Sequence, residues 1–194
     1  MINMVARLRG DLYDAKFCLE NEADPRARAE KAEELLKVLD DTKLVGGRIC
    51  VSSAVFCINR GDVFLIHHKL LNTWLPVGGE QEGYETPLQT AIRELEEETG
   101  IKDAFFPDIP GNLRGCPAGY IGYEEHDAGI KGRHMNHNFV AIVPTRDIVS
   151  DDSYDDARWF APQEVFQLDA PDSVKGCVGK IFVWMSSGQI KPAH

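Results

Sequence analysis

The sequence predicts a mixed α/β domain carrying a helical extension at its N-terminus. From about Gly46 apolar and β-branched residues gather into strand-like runs, RICVSSAVFCIN and DVFLIHH, on either side of the turn signal Asn59-Arg60-Gly61. A capped helix between Thr86-Pro87 and Gly100 interrupts the strands. Ahead of both, residues 1–43 read as two amphipathic helices. The division is therefore an extension over 1–43 and a domain over 44–194.

Composition bounds the possibilities. A chain of 194 residues, 43% apolar and 27% charged, suits one globular domain plus an appendage. The formal net charge of −10 argues against nucleic acid or an anionic membrane surface as the main partner. A small phosphorylated substrate stays compatible, because a bound divalent cation inverts the local field. The five cysteines, Cys18, Cys50, Cys57, Cys116 and Cys177, form an odd set without C-x-x-C spacing. That pattern argues against a disulfide framework or a zinc motif and for reduced thiols in a cytoplasmic protein. The start, MINMVARLRGDLYDAK, lacks the apolar stretch of a signal peptide, and no run approaches the roughly 20 apolar residues of a membrane span.

In the extension, Val5, Leu8, Leu12, Ala15 and Leu19 step by three and four along a first helix. Asp24-Pro25 restarts a second, with Ala29, Ala32, Leu36 and Leu39 on its inner face. Such stripes need a partner surface, so the extension is expected to pack on the domain or on a second copy, as a dimerisation element or a substrate-side lid. In the hairpin, Cys50 and Cys57 are expected in the core. His67 and His68 point to opposite strand faces and cannot line one site together. Trp74, on the approach to Gly78-Gly79, is either a base-stacking residue or a pocket wall.

The central helix carries the chemistry. Thr86 is the expected N-cap, Pro87 the first helical residue and Gly100 the left-handed C-cap. Leu88, Ala91, Ile92 and Leu95 make one apolar face. At roughly 100° per residue, Glu94, Glu97 and Glu98 share another sector and Glu96 points away. Carboxylates at i, i+3 and i+4 repel one another unless solvated or held around a hard cation, and Mg²⁺ suits carboxylates combined with phosphates. Gly78 and Gly79 let the backbone approach such a cation without an intervening Cβ.

Beyond the helix, FFPDIPGNLRGCPAG reads as loop, and PAGYIGYEEHDAGIKGRHMNHNFVAIV as two strands around Asp127-Ala128-Gly129. Glu124, Glu125, His126, His134 and His137 gather near this hairpin in spacing that fits no metal motif. They are expected to be substrate-facing or solvated. Arg133 and Lys131 are candidate phosphate partners. An acidic loop with Asp151, Asp152, Asp155 and Asp156 leads into a short strand bearing Trp159-Phe160, a short helix from Pro162 and a closing helix over 172–187.

Between Gly79 and Ile101 the order is Gly79, five residues, Glu85, seven residues, Arg93-Glu94-Leu95, one residue, Glu97-Glu98, one residue, Gly100-Ile101. This resembles the complete Nudix box. Seven residue types and two apolar positions match across 23 of the 194 residues. Similar sequences often have Pro-Gly-Gly where this one has Val77-Gly78-Gly79, a mild departure.

The resemblance implies an α/β/α sandwich around a mixed sheet and hydrolysis of a nucleoside diphosphate linked to another moiety, X. It implies Mg²⁺ as cofactor, with Mn²⁺ able to replace it, held by Glu94, Glu97, Glu98 and the carbonyl of Gly78. It also implies that Arg93 anchors the loop through Glu85. By the same resemblance one box glutamate acts as general base rather than as ligand, with Glu94 the candidate, and members differ on which. An extra acidic group would come from Asp151, Asp152, Asp155, Asp156, Glu124 or Glu125. By the same resemblance, Pro117, 16 residues past the box, matches a proline of some ADP-ribose-cleaving members, and Tyr120 approximates a tyrosine of dinucleoside-polyphosphate members. Trp74, Arg133 and Tyr120 are the substrate-binding candidates, and the resemblance names no single nucleotide. A nucleotide-sensing module without turnover is the alternative, although such modules usually lose box glutamates that this chain keeps. An isoprenoid-diphosphate isomerase is disfavoured because LLNTWLPVGG contains no cysteine.

Overall fold

The computed structural model describes residues 49–109, 115–127, 133–149 and 154–190. The helical extension expected over 1–43 lies outside the described residues. Seven strands form one sheet: β1 (Ile49–Asn59), β2 (Asp62–His68), β3 (Thr73–Leu75), β4 (Val77–Glu80), β5 (Tyr120–Asp127), β6 (Arg133–Ile142) and β7 (Tyr154–Phe160). The helices among the described residues are α1 (Pro87–Thr99), α2 (Pro162–Val165) and α3 (Asp172–Ser186). The sheet order is β3-β2-β1-β6-β5, with β4 also pairing β1 and β7 also pairing β2.

The β1–β2 hairpin turns on Arg60 and Gly61, at φ 51° and 93°. Positive φ at both central residues matches the strand twist and keeps the hairpin tight. Pro76, which has no N–H to donate, divides the approach to the glycines into two short strands. β3 pairs β2 through His67↔Trp74, and β4 pairs β1 from Ser52↔Glu80 to Val55↔Val77.

Alternation along the strands sorts the core into two layers. Phe56, Ile58, Val63, Leu65, Val140 and Ile142 form one cluster with Val174, Cys177, Val178 and Ile181 of α3. Val55, Cys57, Phe64, Ile66, Phe139, Ala141 and Val143 form the other with Ala91 and Leu95 of α1. A sheet with a helix on each face is the expected α/β/α sandwich. Burying one Leu is worth roughly 1.5–3 kcal/mol, against roughly 0.2–0.5 kcal/mol for each like-charged pair along a helix. Packing of Leu95 thus holds α1 in place despite its acidic face.

Two expectations need correction. Ile92 is 45% exposed, and the buried face of α1 is Thr90, Ala91, Leu95, Glu98 and Thr99. The stripe is rotated so that Ile92 sits at its margin. The acidic and histidine residues of the β5–β6 hairpin do not form one cluster. The β5–β6 register sets Glu124 and His126 opposite Asn136 and His134, and Tyr123 and Glu125 opposite His137 and Met135. Paired residues share a face and neighbours alternate, so the group is divided between the two sides of the sheet.

Candidate active site

The site begins where β4 lies against β1. A Cβ at Gly78 would come within 2.2 Å of the Ser53 carbonyl oxygen, so the backbone approach there admits only glycine. Ser53 Oγ donates to the Pro87 carbonyl at 2.7 Å, tying β1 to the start of α1. Thr86 and Gln89 form a reciprocal capping box, with Thr86 N to Gln89 Oε1 at 2.7 Å and Gln89 N to Thr86 Oγ1 at 3.3 Å. The Thr-x-x-Gln spacing that signals this box stands in the sequence. Gly100 closes the helix at φ 72°, its N–H bonded to the Glu96 carbonyl.

Arg93 spreads its donors over the loop and helix. Nε reaches Glu85 Oε1 at 2.9 Å and Nη2 reaches Glu85 Oε2 at 3.2 Å and the Glu80 carbonyl at 2.9 Å. Nη1 reaches Glu94 Oε1 at 2.8 Å and Glu97 Oε2 at 2.9 Å. Hydrogen bonding to Arg93 draws the Glu85 carboxyl down to about 2. Glu85 also accepts from Thr90 Oγ1 at 3.0 Å and from the Glu82 amide at 3.1 Å, which closes the loop on itself.

The three glutamates singled out by spacing are not equivalent. Glu98 is 9% exposed, and its Oε2 accepts from the Gly78 amide at 2.8 Å. Glu94 fills the space above Gly79, where a Cβ would lie 2.2 Å from Oε1. The side chain of Glu97 is 56% exposed and held by Arg93. Glu96 pairs with Lys102 at 2.9 Å in solvent.

This arrangement fits a hard divalent cation. The glycine strand reaches the carboxylates with no side chain between, and the donor set is all oxygen. Burial raises the Glu94 carboxyl above its ordinary range despite its contact with Arg93, so a further positive charge is favoured there.

The remaining candidates sit elsewhere. Trp74 packs edge-on to Phe160 and His67, with centroids 4.9 and 5.1 Å apart, in the cluster on the α3 face. Tyr120 packs at 5.6 Å from Phe139 in the cluster on the α1 face. Arg133 pairs with Glu125 at 2.9 Å at the hairpin end. Glu124 Oε1 accepts from Asn136 Nδ2 at 3.1 Å, within a polar lane joining Ser52, Asn136 and Asn138. Asp156 pairs with Arg158, which holds its carboxyl below the ordinary range, and Asp155 lies beside it. Asp151, Asp152 and Lys131 lie outside the described residues. The polar lane had no local signal in the sequence, because it assembles from strands far apart in the chain.

A glycine strand thus meets a carboxylate helix on a sheet covered by helices on both faces. The NUDIX domain family matches residues 49–176, well over half of the chain, and the chain belongs to the Nudix family of hydrolases. A Nudix-family hydrolase from Clostridium perfringens is 19% identical, with a TM-score of 0.57 over 68% of this chain and 97% of its own. An Ap4A hydrolase from C. elegans is 14% identical, with a TM-score of 0.59 over 71% of this chain and 98% of its own. A UDP-X diphosphatase is 14% identical, with a TM-score of 0.53 over 98% of this chain and 97% of its own. No curated protein sequence matches the chain significantly.

Proposed function

We propose that the chain hydrolyses the phosphoanhydride of a nucleoside diphosphate linked to X, with Mg²⁺ held by Glu94, Glu97, Glu98 and the Gly78 carbonyl. The observation that carries this reading is the seating of Glu94 and Glu98 directly against Gly78 and Gly79. When bound, Mg²⁺ supplies charge neutralisation for the phosphates and a water of lowered pKa. Arg93 holds the loop and helix at a fixed distance through Glu85 and the Glu80 carbonyl. Glu94 is the candidate to take the proton of the attacking water. The water oxygen forms the new P–O bond, and the bridging oxygen leaves on the other phosphate. Products are a nucleoside monophosphate and X-phosphate, or pyrophosphate from a triphosphate.

Nucleotide sugars come first among substrates to test, because the likeness to the UDP-X diphosphatase runs over 98% of this chain. Trp74 lies on one sheet face and Tyr120 on the other, so their proposed substrate contacts are alternatives. Trp74→Ala and Tyr120→Ala separate them by which one raises KM. The extension over 1–43 is proposed to pair two copies of the chain, so its removal should leave a single copy in solution.

The deciding experiment is phosphate or pyrophosphate release across nucleoside triphosphates, ADP-ribose, nucleotide sugars and dinucleoside polyphosphates, with Mg²⁺ and with Mn²⁺. Metal-dependent turnover of one class, lost in Glu98→Gln, supports the proposal and names the substrate. Silence across the panel with retained nucleotide binding would replace it by a sensing role.

A further inference from the structure

Cys50, Glu80 and His134 come from three strands and are separated by 30 and 54 positions in the chain, yet their ligating atoms all lie within 4.8 Å of one another. His134 Nε2 is 3.6 Å from Glu80 Oε1. We propose that these residues form a second cation site, for a borderline-soft divalent metal of the Zn²⁺ class, distinct from the carboxylate site on α1.

Placement and chemistry argue for it together. In β1, Cys50 shares the parity of Phe56 and Ile58, and in β6 His134 shares that of Val140 and Ile142. Glu80 stands opposite Ser52, so it projects to that same face. All three therefore lie on the α3 side of the sheet, while Ala91 and Leu95 of α1 pack on the other. Cys50 is buried, and Glu80 and His134 are half-buried, so the donors sit at the rim of the core. A thiolate, an imidazole and a carboxylate select Zn²⁺ over Mg²⁺, which prefers an all-oxygen shell. Zn–S near 2.3 Å and Zn–N near 2.0 Å place tetrahedral ligands roughly 3.3–3.8 Å apart, so only a small rotamer adjustment separates the present arrangement from a closed one. Three protein ligands leave a fourth position for water. His126, across the strand pair from His134 with ring centroids 5.2 Å apart, offers another imidazole on the same face.

The site would also touch the hydrolase machinery. The Glu80 carbonyl accepts from Arg93 Nη2 at 2.9 Å, and Glu80 directly follows Gly78-Gly79. An ion on the Glu80 side chain would fix the end of β4 that carries the glycines. On binding, the Cys50 thiol proton passes to solvent.

The test uses the full chain, freed of metal and titrated with Zn²⁺ under excess Mg²⁺, so that the oxygen-donor site is already occupied. Co²⁺ titration in parallel reports a thiolate-to-metal charge-transfer band. The expected result is a single strong equivalent whose affinity falls ~10–100-fold or more in Cys50→Ser and in His134→Gln. The Co²⁺ band should disappear in Cys50→Ser. Glu98→Gln, Cys18→Ser and Cys116→Ser should keep both, which separates this site from the proposed catalytic metal and from adventitious thiols. If Cys50→Ser does not fold, His134→Gln and the wild-type Co²⁺ band decide the matter. Absence of a thiolate band in the wild type, or undiminished affinity in His134→Gln, overturns the proposal.

Discussion

The amide of Gly78 donates to Oε2 of Glu98 at 2.8 Å, joining the glycine strand to the last turn of α1 across 20 positions of sequence. A buried carboxylate is costly unless hydrogen-bonded or paired, and this bond accounts for one oxygen of Glu98. Glu98→Gln keeps a carbonyl oxygen able to accept from Gly78 and removes only the charge. Turnover should fall on the order of 10²–10³-fold while the thermal midpoint stays close to wild type. Wild-type turnover in this variant would remove Glu98 from the proposed metal site.

Gly78 and Gly79 are adjacent, yet substitution should fail in different ways. A Cβ at Gly78 meets the Ser53 backbone oxygen at 2.2 Å, which no side-chain movement relieves. Gly78→Ala should therefore cost more than about 3 kcal/mol of stability. A Cβ at Gly79 meets the end of the Glu94 side chain, which can swing away. Gly79→Ala should cost about 1–3 kcal/mol and most of the activity. Adding Glu94→Ala should then restore stability but not turnover. Denaturant melts of the three variants check this, and equal losses for Gly78→Ala and Gly79→Ala would refute the distinction.

Arg93 serves four acceptors with one planar fork, and lysine offers a single point charge. Arg93→Lys should free the loop between Gln81 and Glu85, speeding amide exchange at Glu82 and Glu85. Activity should fall ~10–100-fold, as expected when a residue that orients metal ligands is lost. Unchanged exchange at those amides would show that the loop is held by its own backbone bonds.

Much of the fold could be read from residues alone, and the reasons are local. The Asn-Arg-Gly turn marked the first hairpin, and Thr86, Pro87 and Gly100 marked both ends of α1. β3 and β4 were not separable, because strands of 3 and 4 residues are too short to show a period. Alternation alone parts Glu124 from Glu125 and His134 from His137, but which side of β5 shares a face with which side of β6 depends on their register, which no local pattern announces. Within the site, helical spacing grouped Glu94, Glu97 and Glu98. That Glu97 turns outward to Arg93 follows from the packing of Leu95 and Ala91, which sets the rotation of the helix. Convergence of Cys50, Glu80 and His134 is a property of the sheet order and had no sequence motif to reveal it.

The Glu85–Arg93 pair makes a prediction about acid. Arg93 holds the Glu85 carboxyl at about 2, below its ordinary 4.5. A depressed carboxyl binds fewer protons in the folded chain than in the unfolded one, so its contribution to stability is complete above pH 4.5. That contribution declines as the pH falls from there and is gone below about 2. Glu85→Gln removes the charge at every pH. The stability gap between wild type and Glu85→Gln should therefore be constant from neutral pH down to about 5 and narrow steadily below it. Urea midpoints of both proteins between pH 7 and pH 3 measure the gap. If it widened on acidification, the ionised Glu85–Arg93 contact could not be what holds the loop against the helix.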